Sequence, residues 1–343
     1  MFPSLNISWK SVKNFLIINS LLNGISYISS AIYNYGFVPY FCVETISNIF
    51  LTKLMGHIDK PAIGSKKLET TVDINSSIIS ELQHVDTNFN TNMYNDNDND
   101  TDNGNSDNKD SNQNPDQPFD KECIFSTVPK ENFKHEFLLY TIGGSFIKSS
   151  THYIAITYIL GTPNIVDLSS FITDIPLFII KSFLFETIFD VAHYTLHRLL
   201  HSNLWMYKNI HKKHHKFPHP IADTSFYMHP ADLILSYSVP LFFAICVLDS
   251  RGHIFSVTSN DLHFITTYLT YQEIAGHLGK QMFPTSSFSQ CIWLPRILDM
   301  QLYTEDHNLH HTTLHCNYSK RFSLMDKIFG TYCPGTISEI KIQ

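Results

Sequence analysis

Four long apolar stretches stand out along this chain of 343 residues, at positions 15–43, 137–160, 168–185 and 233–248. Each approaches the roughly 20 apolar residues that cross the hydrocarbon core of a bilayer. Because Ser, Thr, Asn or Pro interrupts several of them, we expect kinked, hairpin or partly re-entrant membrane helices. Lys10 and Lys13 precede the first stretch without a small-residue cleavage site, which favours an uncleaved anchor.

A polar segment separates the first apolar stretch from the others. Positions 86–118 hold 11 Asn, eight Asp, no Glu and one Lys, so this window alone carries the formal charge of −7 of the whole chain. Such a segment has little to bury and is predicted to be disordered. The remainder is close to neutral, which excludes a basic field for nucleic acid. We therefore predict a membrane segment (1–60), a disordered linker (61–125), a membrane catalytic domain (126–335) and a short tail (336–343).

Ionisable residues recur at helical spacing through positions 168–201, which we expect to form one long helix or two in line. Glu186, Asp190, His193, His197 and His201 follow one another at steps of 4, 3, 4 and 4 and so share one helical face. Such a stripe on a membrane-associated helix is costly and indicates a function. We interpret His197 and His201 as metal ligands. His193, Asp190 and Glu186 are interpreted as side chains that orient ligand imidazoles.

An H-x-x-H-H triplet occurs twice, and each copy places three imidazoles on one helical face. The triplets are His211, His214 and His215, and His307, His310 and His311. Glu305 or Asp306 is expected to hold a ligand ring by its second nitrogen. Lys212 and Lys213 are predicted to face lipid phosphates or an acidic electron donor.

Two isolated histidines complete the candidate ligands. His277 follows Gly276, a residue that would let backbone and metal approach closely. His229 lies near the triplets and is expected to be a ligand or to contact one. His253 and His263 lack partners at helical spacing and are interpreted as structural or surface residues.

This many histidines exceed the four ligands of a structural zinc and suit a pair of redox-active irons. The six cysteines show no C-x-x-C spacing, which argues against a zinc ribbon or a redox pair. Iron, dioxygen and an apolar setting together indicate C–H hydroxylation or desaturation of a lipid. Since the sequence contains no glycine-rich nucleotide-binding loop, electrons must come from another protein.

The assembled motifs resemble the fatty acid hydroxylase/sterol desaturase superfamily of integral membrane di-iron enzymes. The resemblance covers residues 170–335 and is carried by HRLLH at 197–201, YKNIHKKHH at 207–215, YMHP at 227–230, GHLG at 276–279, the second triplet, and MDKIFGT at 325–331. It implies an all-α fold of membrane helices with a helical catalytic cap on the cytosolic face of the endoplasmic reticulum. It also implies two iron ions, and electrons from NAD(P)H through a cytochrome b5-type carrier or a reductase. The ligands that it implies are His197, His201, His211, His214, His215, His277, His307, His310 and His311, with His229 in addition.

Within the superfamily the motifs look most like those of 4-methylsterol monooxygenases. That branch has Asp where this chain has Asn308, and it differs over 284–296, so sterol desaturases and hydroxylases of fatty acyl, sphingoid, aldehyde or alkane substrates stay open. An acyl-lipid desaturase is disfavoured because only nine residues separate His201 from His211. A metal transporter and a non-catalytic member of the superfamily are the remaining alternatives.

Overall fold

Helices make up nearly all the regular structure of the described residues. The computed structural model describes residues 9–58, 133–163, 168–248, 254–278 and 287–334. Within these ranges the one β-type pairing is an isolated bridge between Gln301 and Phe322. The predicted all-α fold is therefore confirmed. The predicted linker (61–125) and tail (336–343) lie outside the described residues.

Two N-terminal helices form a hairpin. Helix α1 covers Trp9–Tyr33 and α2 covers Phe37–Ile58, and Gly36 between them has φ +103°, a conformation that glycine adopts without strain. Helix α1 also contacts a later helix, Ser259–Gly276. The hydroxyl of Tyr268 on that helix donates to Oδ1 of Asn19 at 2.6 Å. The hairpin is thereby joined to the part of the chain that carries the histidines.

The larger helices follow in chain order. Helix α3 is Lys134–Ala155 and continues as a π-helical segment, Ile156–Leu160. Helix α4 is Leu168–Ser202, α5 is Pro230–Leu248 with a π-helical segment at Ile234–Ser238, and α6 is Ser259–Gly276. The prediction of one long helix over 168–201 is confirmed. Pro176 lies inside α4, where it removes one backbone hydrogen bond.

Short elements surround the ends of α4 and α6. Helical turns occur at Leu204–Met206, Tyr207–His211 (a π-helix), His214–Lys216 and Ala222–Thr224. Three small helices follow α6, namely α7 (Trp293–Ile297), α8 (Thr304–Thr313) and α9 (Leu324–Ile328). Such short elements expose backbone groups that must find partners, and many of these partners lie in the site described below.

Two helical stretches are long and apolar enough to cross a bilayer, Val12–Tyr33 and Pro230–Leu248. They overlap the first and fourth of the predicted apolar spans. The other two predicted spans lie on α3 and α4. Among the described residues, neither of these helices is apolar enough over a sufficient length to count as a membrane span. Helix α3 carries Lys148 and His152 on its buried face, and these polar side chains lower its mean hydropathy.

The interior of the helical bundle contains paired polar side chains as well as apolar ones. Lys148 is buried and donates to Oγ1 of Thr270 on α6 at 2.5 Å. His152 contacts the hydroxyl of Tyr237 on α5 at 2.5 Å, and its other ring nitrogen contacts the hydroxyl of Tyr40 at 3.2 Å. Each contact joins two helices, so these pairs fix how α2, α3, α5 and α6 align.

Candidate metal centre

Helix α4 presents its ionisable residues on one buried face. Glu186, Asp190, His193, His197 and His201 are each at most 4% exposed. The rings of His193 and His197 lie 5.1 Å apart between centroids, and those of His197 and His201 lie 4.9 Å apart. The predicted stripe is therefore buried in the protein, and its C-terminal end faces the two triplets.

Five histidines form what we call the first histidine group. Its candidate ligand atoms all lie within 4.8 Å of one another, and its members are His197, His201, His211, His215 and His310. At its centre is Nε2 of His211, which lies 3.0 Å from Nε2 of His197, of His201 and of His215. Nitrogens that share one ion at about 2.1 Å are separated by roughly 3.0 to 3.4 Å.

Four more histidines form the second histidine group, under the same limit of 4.8 Å. Its members are His214, His277, His307 and His311. The Nε2 atom of His307 lies 3.4 Å from Nε2 of His277 and 3.2 Å from Nε2 of His311. The ring of His214 lies 4.7 Å from that of His311.

The two groups are adjacent because each triplet divides between them. From the first triplet, His211 and His215 belong to the first group and His214 to the second. From the second triplet, His310 belongs to the first group, whereas His307 and His311 belong to the second. The rings of His215 and His311 lie 4.6 Å apart across the boundary. Two short segments therefore supply six of the nine rings and hold the groups side by side.

The second ring nitrogen of several members is held by the backbone. Nδ1 of His197 donates to the carbonyl of Tyr318, Nδ1 of His310 to that of Cys316, and Nδ1 of His277 to that of Glu273, each at 2.7 Å. A carbonyl only accepts, so these three rings carry their proton on Nδ1 and present a lone pair at Nε2.

His211 is held by a carboxylate. Its Nδ1 lies 2.8 Å from Oδ2 of Asp232, and both side chains are 2% exposed. When the ring of His211 is neutral, this contact places its proton on Nδ1 and leaves a lone pair on Nε2, 3.0 Å from Nε2 of His197. Two lone pairs at this distance repel each other unless a cation lies between them.

Burial keeps most of these imidazoles neutral. It holds the pKa of His197, His201, His214, His215, His307 and His311 well below the ordinary value of 6.5, and neighbouring histidines act in the same direction. The pKa of His310 falls to about 3, again mainly through burial. The neutral form is the one that binds metal.

The residues present fit a metal site. Nε2 of His310 is buried without a hydrogen-bond partner among the described residues, and the Nδ1 of the same ring is already held by the carbonyl of Cys316. An unpaired buried nitrogen is costly, and one within a group of imidazoles is expected where an ion supplies the missing interaction. The two groups contain nine imidazoles and no cysteine, so all their donor atoms are nitrogens. Such a set suits iron, and it has more ligands than the four of a structural zinc site.

The carboxylates predicted to orient imidazoles on α4 have other partners. Asp190 accepts from the backbone N–H groups of Lys320, Arg321 and Phe322 at 2.8–3.0 Å. Glu186 accepts from Nε2 of Gln290 at 2.6 Å. Both carboxylates accept from neutral donors of neighbouring segments, and their predicted role on ligand rings stays a prediction.

The other predicted supporting residues divide as follows. Nδ1 of His193 donates to the carbonyl of Ser236 at 2.7 Å, and its ring adjoins His197. Asp306 accepts from the backbone N–H of Tyr303 and so caps α8. Glu305 is the other acidic residue in the first turn of α8. Their predicted role on a ligand ring stays a prediction.

His229 is exposed and lies at the N-terminus of α5. Its Nδ1 accepts from the backbone N–H of Ala231 at 3.2 Å, and it belongs to neither histidine group. Three positions after His229, Asp232 is the residue of α5 that contacts a member of the first group. A buried acid at the start of an apolar helix is the signal that could have identified it. A glycine is not required at position 276 for backbone and metal to come close. A Cβ added there would lie 3.9 Å from the ring of His307, which is an ordinary van der Waals distance.

A small cavity of about 40 Å³ lies beside the second group. His277 and His307 line it together with Glu273, Gln272, Tyr303 and Lys320. The amine of Lys320 pairs with the Glu273 carboxylate. Burial opposes ionisation of Glu273, but the charges of Lys320 and Arg321, the neighbouring His277 and the hydrogen bond from Lys320 together outweigh it and lower the pKa of Glu273 to about 2. A second, smaller cavity is lined by His193, His197, His214 and Lys320.

Comparisons with known proteins point to the same region. The family model described as fatty acid hydroxylase matches residues 182–331, which contain all nine histidines of the two groups. Methylsterol monooxygenase 2-2 of Arabidopsis thaliana is 33% identical over 150 residues, 41% of this chain and 48% of that protein. The C-4 methylsterol oxidase erg25 of Schizosaccharomyces pombe is 28% identical over 43% of this chain and 45% of that protein.

Sphinganine C4-monooxygenase 1 of Arabidopsis thaliana is 27% identical over 44% of this chain and 54% of that protein. The chain thus spans about half the length of the curated relatives that it matches. No solved structure matches the chain significantly. The match over 182–331, which contains both histidine groups, makes this region of the chain similar to the fatty acid hydroxylase family.

Proposed function

We propose that this protein is a membrane-bound di-iron oxygenase that oxidises a C–H position of a lipid, with the 4-methyl group of a sterol as the favoured target. The observation that carries the proposal is the pair of adjacent, buried histidine groups, in which Nε2 of His197 and Nε2 of His211 lie 3.0 Å apart. Each group would hold one iron. The proposed ligands are His197, His201, His211, His215 and His310 for one iron, and His214, His277, His307 and His311 for the other.

In such a site the irons would supply the activation of dioxygen. The protein's own residues have supporting tasks. Tyr318, Cys316 and Glu273 fix the ring orientations through their backbone carbonyls, and Asp232 does so through its carboxylate. Burial of all nine rings excludes bulk water from the reacting centre. The cavity beside His277 and His307 is the proposed place where the carbon to be oxidised approaches.

The sterol assignment is supported by two reported relatives whose names specify methylsterol oxidation. The second candidate is hydroxylation of a sphingoid base, supported by the similarity to sphinganine C4-monooxygenase 1. A sterol desaturase activity belongs to the same chemistry. The two candidates differ in the polar group of the substrate, and therefore in which product accumulates or disappears.

We propose that the electrons come from NAD(P)H through a cytochrome b5-type carrier or a reductase. The sequence contains no glycine-rich nucleotide-binding loop of its own. We place the protein in the endoplasmic reticulum membrane with the site on the cytosolic side. The two apolar helical stretches support association with a membrane.

The test is a lipid and sterol profile of cells that lack the protein, rescued by the wild type or by the double variant His214→Ala/His215→Ala. These two rings belong to different groups, so the variant disturbs both proposed irons. We expect 4-methylated sterols to accumulate and to be cleared by the wild type alone. The variant is compared with His263→Ala, which changes a buried histidine outside both groups.

Three other outcomes are informative. An unchanged sterol profile with a changed sphingoid-base profile would replace the sterol by the second candidate. A change in another lipid would retain the oxygenase and reject both substrates. Rescue by the double variant would reject the di-iron mechanism.

A further inference from the structure

One segment of the chain is rich in basic residues and lacks acidic ones. Between positions 191 and 222 there are five basic residues and no Asp or Glu, whereas the whole chain has a formal charge of −7. The basic residues are Arg198, Lys208, Lys212, Lys213 and Lys216. Since five positive charges lie within 32 residues without compensation from the same segment, this part of the protein attracts anionic partners.

Three of these residues form a surface that we call the lysine surface, defined by the exposed side chains of Lys208, Lys212 and Lys216. Lys213 is partly buried, and its amine lies over the rings of Tyr140 and Tyr227 at 4.2 and 5.2 Å. The hydroxyl of Tyr227 in turn donates to Glu136 at 2.9 Å. The three exposed lysines therefore lie where a partner would meet them, although the amine of Lys216 also donates to the hydroxyl of Tyr227 at 3.2 Å.

The lysine surface and the metal ligands share the same short turns. His211 lies directly before Lys212, and His215 lies directly before Lys216. Both histidines are buried and belong to the first group, whereas the adjacent lysines are exposed. A partner bound to Lys212 or Lys216 would thus contact residues that are next in the chain to proposed ligands.

Aromatic side chains connect this surface with the first group. Trp205 is 66% exposed, and Tyr207, two residues later, is 6% exposed. The ring of Tyr207 lies 5.5 Å from that of His201, 6.3 Å from that of His211 and 6.2 Å from that of His215. Tyr207 therefore fills the space between the exposed turn and three proposed ligands.

We propose that the lysine surface is the docking site for an acidic one-electron carrier protein, and that electrons enter the first histidine group beside Trp205 and Tyr207. This inference rests on the proposed oxygenase function. Oxidation of a C–H bond by dioxygen takes up two electrons and two protons and yields the alcohol and water. A one-electron carrier must therefore dock and be oxidised twice in each turnover.

Proximity to the ligands favours a protein over the bilayer as the occupant. Anionic headgroups would satisfy the lysine charges but bring no electrons, and a purely lipid-binding surface has no need to adjoin the histidine groups. An electron carrier needs a short path, because electron transfer weakens steeply with distance. Opposite charges also accelerate the repeated encounters that two deliveries require.

The test measures binding of the soluble haem domain of a cytochrome b5-type protein to the full-length, iron-loaded chain in uncharged detergent. We expect the dissociation constant to rise at least tenfold for Lys208→Glu/Lys212→Glu, and binding of the wild type to weaken as salt is added. The matched control is Lys13→Glu, an exposed lysine on α1, which should bind the haem domain as the wild type does. Iron content measured on each variant shows whether the site beneath remains loaded.

A second variant tests the route of entry. Trp205→Leu should keep the dissociation constant within about threefold of the wild type, and slow the oxidation of the bound, reduced haem domain at least tenfold. Haem oxidation is followed by its absorbance in a stopped-flow instrument. An unchanged rate would overturn the route beside Trp205.

Two results would overturn the docking site. One is equal binding of the haem domain by the wild type and the lysine variant. The other is loss of binding to vesicles of anionic phospholipid by the lysine variant without loss of haem-domain binding. The proposed function fails separately, if the iron-loaded wild type forms no oxidised lipid when a chemical reductant replaces the carrier.

Discussion

Oδ2 of Asp232 lies 2.8 Å from Nδ1 of His211, with both side chains withdrawn from solvent. His211 is the ring whose Nε2 contacts three other imidazoles of the first group. A carboxylate on the outer nitrogen fixes the tautomer of the ring and makes its inner nitrogen a stronger donor. The start of an apolar helix thus controls the central ring of the proposed iron site.

Replacement of this carboxylate should weaken metal binding. We expect Asp232→Ala to lower the iron affinity of the first group by about 10- to 100-fold, and Asp232→Asn to lower it less, because the amide oxygen still accepts from His211. The measurement is iron retention against a competing chelator. Asp223→Asn, a change to the acid that pairs with Lys53 at 2.8 Å, is the control. Equal retention by Asp232→Ala and wild type would contradict the assignment.

Removal of a ring from either group should release one iron and leave the other bound. We expect His211→Ala and His307→Ala each to reduce bound iron to about half of the wild-type content, because each ring belongs to one group. His263→Ala should retain the full content. Metal analysis of the purified proteins provides the numbers. Complete retention of iron in both variants would show that these nitrogens are not ligands.

The metal-free protein should lose stability in acid. Burial holds the pKa of His214, His215 and His311 well below 6.5, so the folded state resists protonation that the unfolded chain accepts. Below about pH 6.5 the unfolded state therefore binds more protons, and the free energy of unfolding falls by up to ~1.4 kcal/mol per pH unit for each such group. The pH dependence of thermal unfolding between pH 7.5 and 5 tests this. A flat profile would show that these rings are not buried and neutral.

Asp190 should matter for folding more than for metal affinity. It accepts three backbone N–H groups of the segment 320–322, and Asp190→Ala would leave these donors without their acceptor. We expect a loss of at least ~3 kcal/mol in the free energy of unfolding. Thr195→Ala, an exposed change on the same helix, is the control. If iron affinity fell while stability remained, Asp190 would act on the metal site after all.

The sequence was sufficient to identify the histidines because helical periodicity is a local property. The stripe on α4 and the repeated triplet depend on residues three and four positions apart, and nine of the ten predicted ligands converge in the structure. The division of each triplet between two groups was not predictable. It depends on how α8 packs against the turn at 211–215, which is a long-range property.

The supporting contacts were mostly beyond prediction because they involve backbone atoms. The carbonyls of Tyr318 and Cys316 hold His197 and His310, and a carbonyl has no sequence signature. Carboxylates near histidines were the natural candidates from the sequence. In the structure Asp190 and Glu186 instead hold other parts of the fold, and the acid that contacts a ligand is Asp232.

The contact between Tyr318 and His197 also determines when the site can exist. During synthesis the ribosome adds His197 well before Tyr318, and at about 5–20 residues per second the interval is roughly 6–25 s. Throughout this interval the first rings lack the carbonyl that orients His197, and for most of it they also lack the rings of α8. The nascent chain therefore cannot capture its irons as it emerges. Metal loading must follow translation of this region.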